Sequence, residues 1–366
     1  MKNKFYTNVV CLGNYIFERG VENGIPFENK KEFKPTLYIP TTSKTDWRTL
    51  EDNPVGPVQW GTIKETRAAL KKYEGVENMK LYGHTNFNYS YIGETYPDNI
   101  DYNLEHIKIL YIDIEVGSEH GFPNPETAPS EVTAITTKMG DDIQVWGCGE
   151  FKNDNEKITY NKCGDERQLL EQFVMYWQQN CPHVITGWNT KTFDTPYLIN
   201  RIRSILSETW VKKLSPWGFV KEQKIFGMGG KEVQTYEIYG VSEIDYLDAY
   251  KKFTYINQES YRLDHIAYVE LKQKKLDYSE VNTLHELYRT DYQKFIEYNI
   301  QDVILVDRLE KKMKLLELIM SLGYLSKCNF TDTFAQTRMW DCIIYNHLLR
   351  EKTVIPQKSK QRKGDM

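Results

Sequence analysis

The 366 residues carry a net charge of −4, with 27% charged and 40% apolar residues, a balance that fits a soluble globular protein and excludes a low-complexity or fibrous chain. No apolar run approaches the roughly 18 residues needed to cross a membrane, and Met1-Lys2-Asn3-Lys4-Phe5-Tyr6 has no apolar core behind its basic start, so neither a membrane partner nor a signal peptide is expected. The six cysteines form no Cys-x-x-Cys pair, which favours free thiols in a reducing compartment and disfavours structural zinc; the acidic balance leaves the partner open, because a site holding divalent cations would offset several acids.

The length suggests two domains or one with a large insertion. Up to about residue 105, short alternating runs predict strands at Val9–Leu12, Tyr15–Phe17, Thr36–Pro40 and Met79–Tyr82. Asn23-Gly24 is a hairpin cue, Pro54-Val55-Gly56-Pro57 reads as a loop, and the spacing from Ile63 to Tyr73 predicts one short helix. This is an open mixed α/β domain without a visible catalytic constellation.

From Ile107 the character changes. Apolar residues run to Val116 and predict a buried central strand, within which Asp113 and Glu115 point to one face while Ile112, Ile114 and Val116 point to the other. Two carboxylates on one patch of an apolar sheet repel and resist desolvation. Either the strand is a surface one with two solvated acids, or a hard divalent cation such as Mg²⁺ or Mn²⁺ neutralises them. Glu131–Lys138 and Asp142–Cys148 follow as strands of an antiparallel meander, with another run at Lys157–Tyr160, and Asp165–Gln178 shows helical spacing. Pro182–Asn189 ends a strand in a Gly turn, and Asp194, at the start of the next helix, would ordinarily cap backbone N–H groups, yet it follows a buried strand and can project toward the sheet.

Lys221–Tyr239 reads as a polar hairpin turning at Gly227-Met228-Gly229-Gly230, and Glu243–Asp248 is a second acidic strand or strand end, whose Asp245 and Asp248 are read as structural. Asp291–Leu322 is a long helical pattern with Phe295, Val303, Val306, Leu309 and Met313 as its buried stripe; Tyr298 and Asp302, four apart, share a face. A helical segment around Trp340 precedes a basic run from Lys358 to Met366, which is expected to be disordered.

Asp113-Ile114-Glu115, Gly187-Trp188-Asn189 with Phe193-Asp194, and Tyr298-Asn299-Ile300-Gln301-Asp302 together resemble the three exonuclease motifs of family B DNA polymerases. The likeness runs through Ile16-Phe17-Glu18-Arg19, Gly121-Phe122-Pro123, Asp248-Ala249-Tyr250-Lys251-Lys252-Phe253 and Met339-Trp340-Asp341, and is similar to the T-even-like bacteriophage branch. The resemblance implies an α/β chain in which a ribonuclease H-like exonuclease domain with a mixed sheet, residues 106–314, follows a smaller α/β domain, residues 1–105, that is completed by a return segment, residues 315–366. It implies that Asp113, Glu115, Asp194 and Asp302 bind two Mg²⁺ or Mn²⁺ ions, that Tyr298 orients the attacking water, and that a lysine, best matched by Lys275, assists. Phe122, Asn189 and Phe193 would contact DNA, with Phe122 near the unpaired end, and the glycine-tipped hairpin would part strands.

The family's polymerising motifs, Asp-x-x-Ser-Leu-Tyr-Pro-Ser and Tyr-x-Asp-Thr-Asp, do not occur. The expected activity is therefore 3′-5′ proofreading hydrolysis of single-stranded or frayed primer-template DNA in the host cytoplasm. A separate polymerase subunit would complete a split viral enzyme, an expectation favoured over an expressed fragment. Two other readings remain open at this level: a non-catalytic, structural or RNA-binding half that docks the polymerase, and another metal-dependent hydrolase of the same fold, such as a ribonuclease.

Overall fold

The computed structural model describes residues 4–76, 79–117, 121, 123–226, 230, 232–273 and 284–357. Phe122, Lys275, the hairpin tip at 227–229 and the basic run from Lys358 lie outside the described residues. Two compact units are formed, Met1–Tyr102 with Ile319–Met366, and Asn103–Leu318.

In the first unit, β1 (Lys4–Leu12), β2 (Tyr15–Glu22) and β3 (Ile25–Glu32) make an antiparallel sheet in that order. The β2–β3 turn is the Asn23-Gly24 pair, whose φ angles of 53° and 81° are those a two-residue hairpin demands. Next come β4 (Leu37–Pro40), β5 (Arg48–Thr49), β6 (Val55–Val58), α1 (Ile63–Lys72) and α2 (Phe87–Thr95). Thr62 and Glu65 close a capping box on α1.

Two expectations fail here. The Pro54–Pro57 stretch is mostly strand β6, antiparallel to β4, with Pro57 opposite Tyr38; Tyr38 directs its own N–H and C=O to Tyr82 on the far side, so the N–H that Pro57 lacks would point away from β4, where its loss costs little. Met79–Tyr82 forms only isolated bridges, from Tyr82 to Tyr38 and to Pro356.

In the second unit, β7 (Ile109–Val116), β8 (Val132–Met139), β9 (Asp142–Gly147) and β10 (Ile158–Lys162) precede α3 (Glu166–Asn180), β11 (Val184–Thr186), α4 (Asp194–Ile205) and α5 (Glu208–Lys212). The hairpin β12 (Val220–Phe226) and β13 (Glu232–Ile238) follows, then β14 (Ser242–Glu243), α6 (Tyr246–Phe253), α7 (Leu263–Leu271), α8 (Leu284–Thr290) and α9 (Tyr292–Met313). The six-stranded sheet has the order β10-β9-β8-β7-β11-β14. Strand β8 is antiparallel to both neighbours, whereas β11 and β14 continue parallel to β7. The mixed sheet, flanked by helices, is of the ribonuclease H-like type. The fourth strand of the run, β10, pairs parallel to β9 and so departs from a simple meander.

Alternation in β7 divides its side chains between two cores. Leu110, Ile112 and Ile114 join Phe173, Trp177 and Tyr197 of α3 and α4, while on the opposite face Ala134, Ile143 and Val145 pack against Phe295, Ile296 and Ile300 of α9. Helix α9 therefore lies over the face that carries Asp113 and Glu115. It does not run on to Leu322. Lys314, at φ 54°, takes the left-handed conformation that stops a helix, Met313 is only half-buried, and α10 (Leu315–Ser326) starts anew.

The later segment of the first unit contains the end of α10, α11 (Gln336–Arg350) and β15 (Thr353–Val354), which pairs parallel with β5. Asn329 bonds both backbone groups of Val9, each at 2.9 Å, and the Tyr324 hydroxyl donates to the Tyr6 carbonyl at 2.8 Å. A side-chain amide thus takes the place of a missing strand beside β1.

Candidate active site

Strand pairing sets the frame. Asp113 faces Thr136 and Glu115 faces Ala134 across the β7–β8 ladder, so both acids stand under α9. From the helix, Asp302 projects toward them: oxygens of Asp113, Glu115 and Asp302 all lie within 4.8 Å of one another, the first two side chains half-buried and the third buried. Three carboxylates this close repel strongly unless a cation or protons intervene. Their hard oxygens suit Mg²⁺ or Mn²⁺, and the cluster fits such an ion. Tyr298 is buried one turn before Asp302 on the same helix.

Asp194 comes to the same strand by another route. Strand β11 ends with Thr186 opposite Tyr111, so beyond that point β7 has no ladder partner on this side. The Ile114 N–H, between the two acids of β7, instead donates to Asp194 Oδ1 at 3.1 Å. The N-cap of α4 is Phe193, with Asp194 one place further on as the first helical residue, and the Asp194 carboxyl takes its own N–H as well as that of Ile114, so it is not confined to the ordinary capping role. Its carboxyl is pushed up to about 8, chiefly by burial and further by Asp245 and Glu243, against the pull of the Ile114 N–H. The group of three oxygens within 4.8 Å does not include it.

Asn189 and Phe193 occupy the turn between β11 and α4. Asn189 is left-handed at φ 70°, its N–H donates to Asp245 Oδ1 at 3.1 Å, and its side-chain oxygen accepts from Thr192 at 2.6 Å. Phe193 packs its ring 5.5 Å from that of Tyr197. Asp245 is saturated by the backbone N–H groups of Asn189, Lys191 and Leu247, which supports its structural assignment. The hairpin stands as expected in its two arms, paired from Val220–Ile238 to Phe226–Glu232.

Sequence reasoning missed two side chains. Asn299 was passed over as the residue after Tyr298, although it is fully buried; its Nδ2 donates to Asp113 Oδ2 at 2.6 Å, and its Oδ1 accepts from the Thr136 hydroxyl at 2.5 Å. A signal existed: an amide in the apolar stripe of a helix must find polar partners. Glu243 was noted only as part of an acidic stretch. It accepts from the Thr195 hydroxyl at 2.6 Å, next to Asp194, and burial first, then Asp245, lift its carboxyl to about 7.

The sheet order, the helix over its acidic face and the convergent carboxylates define a ribonuclease H-like α/β unit whose acidic triad could hold a divalent ion. Residues 45–266 match the family model described as DNA polymerase family B, exonuclease domain. The chain belongs to that family. It is 31% identical to the DNA-directed DNA polymerase of Escherichia phage RB69 over 97% of its own length, and 32% identical to that of Enterobacteria phage T4 over 98%. The DNA polymerase delta catalytic subunit of Caenorhabditis elegans is 29% identical over 57% of the chain and 20% of its own length. The chain spans less than half of the two phage relatives, 42% and 43% of their lengths.

Proposed function

We propose that this chain is a 3′-5′ exonuclease that proofreads for a DNA polymerase, hydrolysing the terminal phosphodiester of single-stranded or frayed DNA. The observation that carries the proposal is the convergence of Asp113, Glu115 and Asp302 within 4.8 Å beside the sheet, in a chain of the family B exonuclease type. Asp113, Glu115 and Asp302 would hold one divalent ion, and Asp194 with the β7 acids a second. When bound, such ions activate water and offset charge on the leaving oxygen.

The protein's own groups supply the rest. Asn299 fixes one oxygen of Asp113 and so orients its carboxylate. Tyr298, one turn from Asp302, orients the attacking water through its hydroxyl. Asn189 and Phe193, in the turn that leads into α4, contact the substrate strand, as does Phe122, and Lys275 assists the hydrolysis. The β12–β13 hairpin parts the primer from its template. Mismatched ends are preferred because they unpair at lower cost. The polymerising portion of the enzyme, on a separate chain, is the protein partner, and the pair acts on phage DNA in the host cytoplasm.

Digestion of single-stranded DNA labelled at its 5′ end tests the proposal. With Mg²⁺ or Mn²⁺ the labelled strand should shorten in single-nucleotide steps and release nucleoside monophosphates, and Asp113→Ala should abolish this while binding persists. Equal inactivity of both forms supports a binding role instead. Preference for RNA of the same sequence supports a ribonuclease, and release of the 5′ label as the first product overturns the polarity.

A further inference from the structure

Within the first unit, a cavity of about 460 Å³ is lined by Tyr102, Tyr324, Leu325, Lys327, His347 and Arg350 among others. Its charged rim has an unusual arrangement. Lys327 Nζ donates to the Pro97 carbonyl at 2.6 Å, and Arg350 Nη2 donates to the same oxygen at 3.0 Å. The two cations are thus no farther apart than these two bonds laid end to end. Neither forms an ion pair with a carboxylate among the described residues.

One cation on that carbonyl has a structural explanation. Lys327 also bonds the Tyr96 carbonyl, at the C-terminal end of α2, where positive charge suits the helix dipole. A second cation on the same oxygen is not needed for that purpose, and like charges this close disfavour one another. The strain shows in the ammonium of Lys327, which burial first and Arg350 second bring down to about 8, with Asp98 only partly opposing them. Arg350 remains exposed, so its unused N–H groups can reach a ligand. His347, one turn back on α11, adds a further donor at the rim.

The other end of the cavity is apolar and aromatic. The rings of Tyr102 and Tyr324 lie 4.6 Å apart, the Tyr324 hydroxyl is turned away onto Tyr6, and Leu325 is 72% exposed at the wall. Inorganic phosphate would match the cations but leave this part unfilled, and an uncharged ring would leave the cations unopposed. The volume falls in the range of small-ligand sites, about 300–1,000 Å³.

We infer that this cavity binds a mononucleotide, with the phosphate on Lys327 and Arg350 and the flat base against the tyrosine and leucine wall. The site belongs to the first unit alone and is independent of the carboxylate cluster on β7.

Calorimetric titration of the full chain with adenosine monophosphate, adenosine and inorganic phosphate, in a chelator that strips divalent ions from the carboxylate site, tests the inference. Saturable binding of the monophosphate is expected, with adenosine and phosphate each at least about tenfold weaker. Arg350→Gln, at an exposed position that leaves the Lys327 bonds in place, should weaken the monophosphate about tenfold while the melting temperature and DNA hydrolysis stay unchanged. Absence of saturable binding, or unchanged affinity in Arg350→Gln, overturns the site. Equal affinity for phosphate or for adenosine overturns the mononucleotide assignment.

Discussion

Replacing Asn299 by leucine tests how the Asp113 carboxylate is held. The side chain is of similar size, so the main loss is chemical: Asp113 Oδ2 gives up a bond of 2.6 Å and the Thr136 hydroxyl gives up its acceptor at 2.5 Å. A hydrogen bond to a charged group contributes about 1.5–3 kcal/mol, and a buried hydroxyl left without its acceptor costs about 1–3 kcal/mol. The two terms overlap, because Thr136 and Asp113 are cross-strand neighbours, so the expected loss of stability is about 2–4 kcal/mol. For a unit of this size that lowers the melting temperature by roughly 4–16 °C. Exonuclease activity should fall about 10- to 100-fold, the usual cost of removing a residue that orients a metal ligand. A double-mutant cycle with Thr136→Val separates the contributions. If the two substitutions add within about 0.5 kcal/mol in denaturant melts, and Asn299→Leu degrades DNA at the parent rate, then Thr136, Asn299 and Asp113 do not act as one network.

Three further outcomes are expected. Burial raises Asp194 to about 8, Glu243 to about 7 and Asp245 to about 6, so the stability these acids give is full below their unfolded values near 4 and is lost as pH rises toward 8; in a chelator, Asp194→Asn should flatten the pH dependence of melting and exceed the parent at pH 8, whereas parallel profiles would contradict the shift. A Cβ at Gly187 would fall inside van der Waals contact of the Ile112 carbonyl oxygen, backbone that cannot yield, so Gly187→Ala should cost about 1–3 kcal/mol in a denaturant melt and reduce DNA hydrolysis by shifting β7. Lys138 and Asp307 form a pair at 3.1 Å with each side chain 9% exposed, and Lys311 also reaches Asp307 at 2.8 Å, so Lys138→Met alone should cost about 1–3 kcal/mol, while Lys138→Met with Asp307→Leu should recover most of it; no recovery in thermal melts would show that the pair is not the cause.

The acidic strand was legible because a period of two fixes the face from sequence alone: Asp113 and Glu115 could only lie together, although whether they met solvent depended on the helix laid over them. Asn23-Gly24 was legible for a similar reason, since few dipeptides tolerate two positive φ angles. Spacing also put Tyr298 and Asp302 on one helical face. What was hidden depended on where a partner element stops. The bond between Asp194 and the Ile114 N–H exists because β11 ends at Thr186, and nothing in Val184-Ile185-Thr186 announces a three-residue strand. The break at Lys314 was hidden because the apolar spacing continues through it into α10. Pro57 misled for the opposite reason, as its loop signal is real but a position whose N–H would point away from β4 removes most of the penalty.

Asn299 joins these two kinds of information. Its place in the apolar stripe was visible, yet only the alignment of α9 over the Asp113–Thr136 pair supplies an acceptor for its amide and a donor for its oxygen. A helix turned by one residue would bury that amide without partners, at a cost of about 1–3 kcal/mol. The amide therefore sets the rotation of α9 on the sheet, and the same rotation brings Asp302 within 4.8 Å of the β7 acids. Repulsion among three carboxylates would drive the helix away from that rotation, whereas the buried amide, together with Phe295, Ile296 and Ile300 packed on Ala134 and Val145, holds it there. The cluster is thus kept in place by its neighbours, which is the preorganisation that the proposed divalent ion would require.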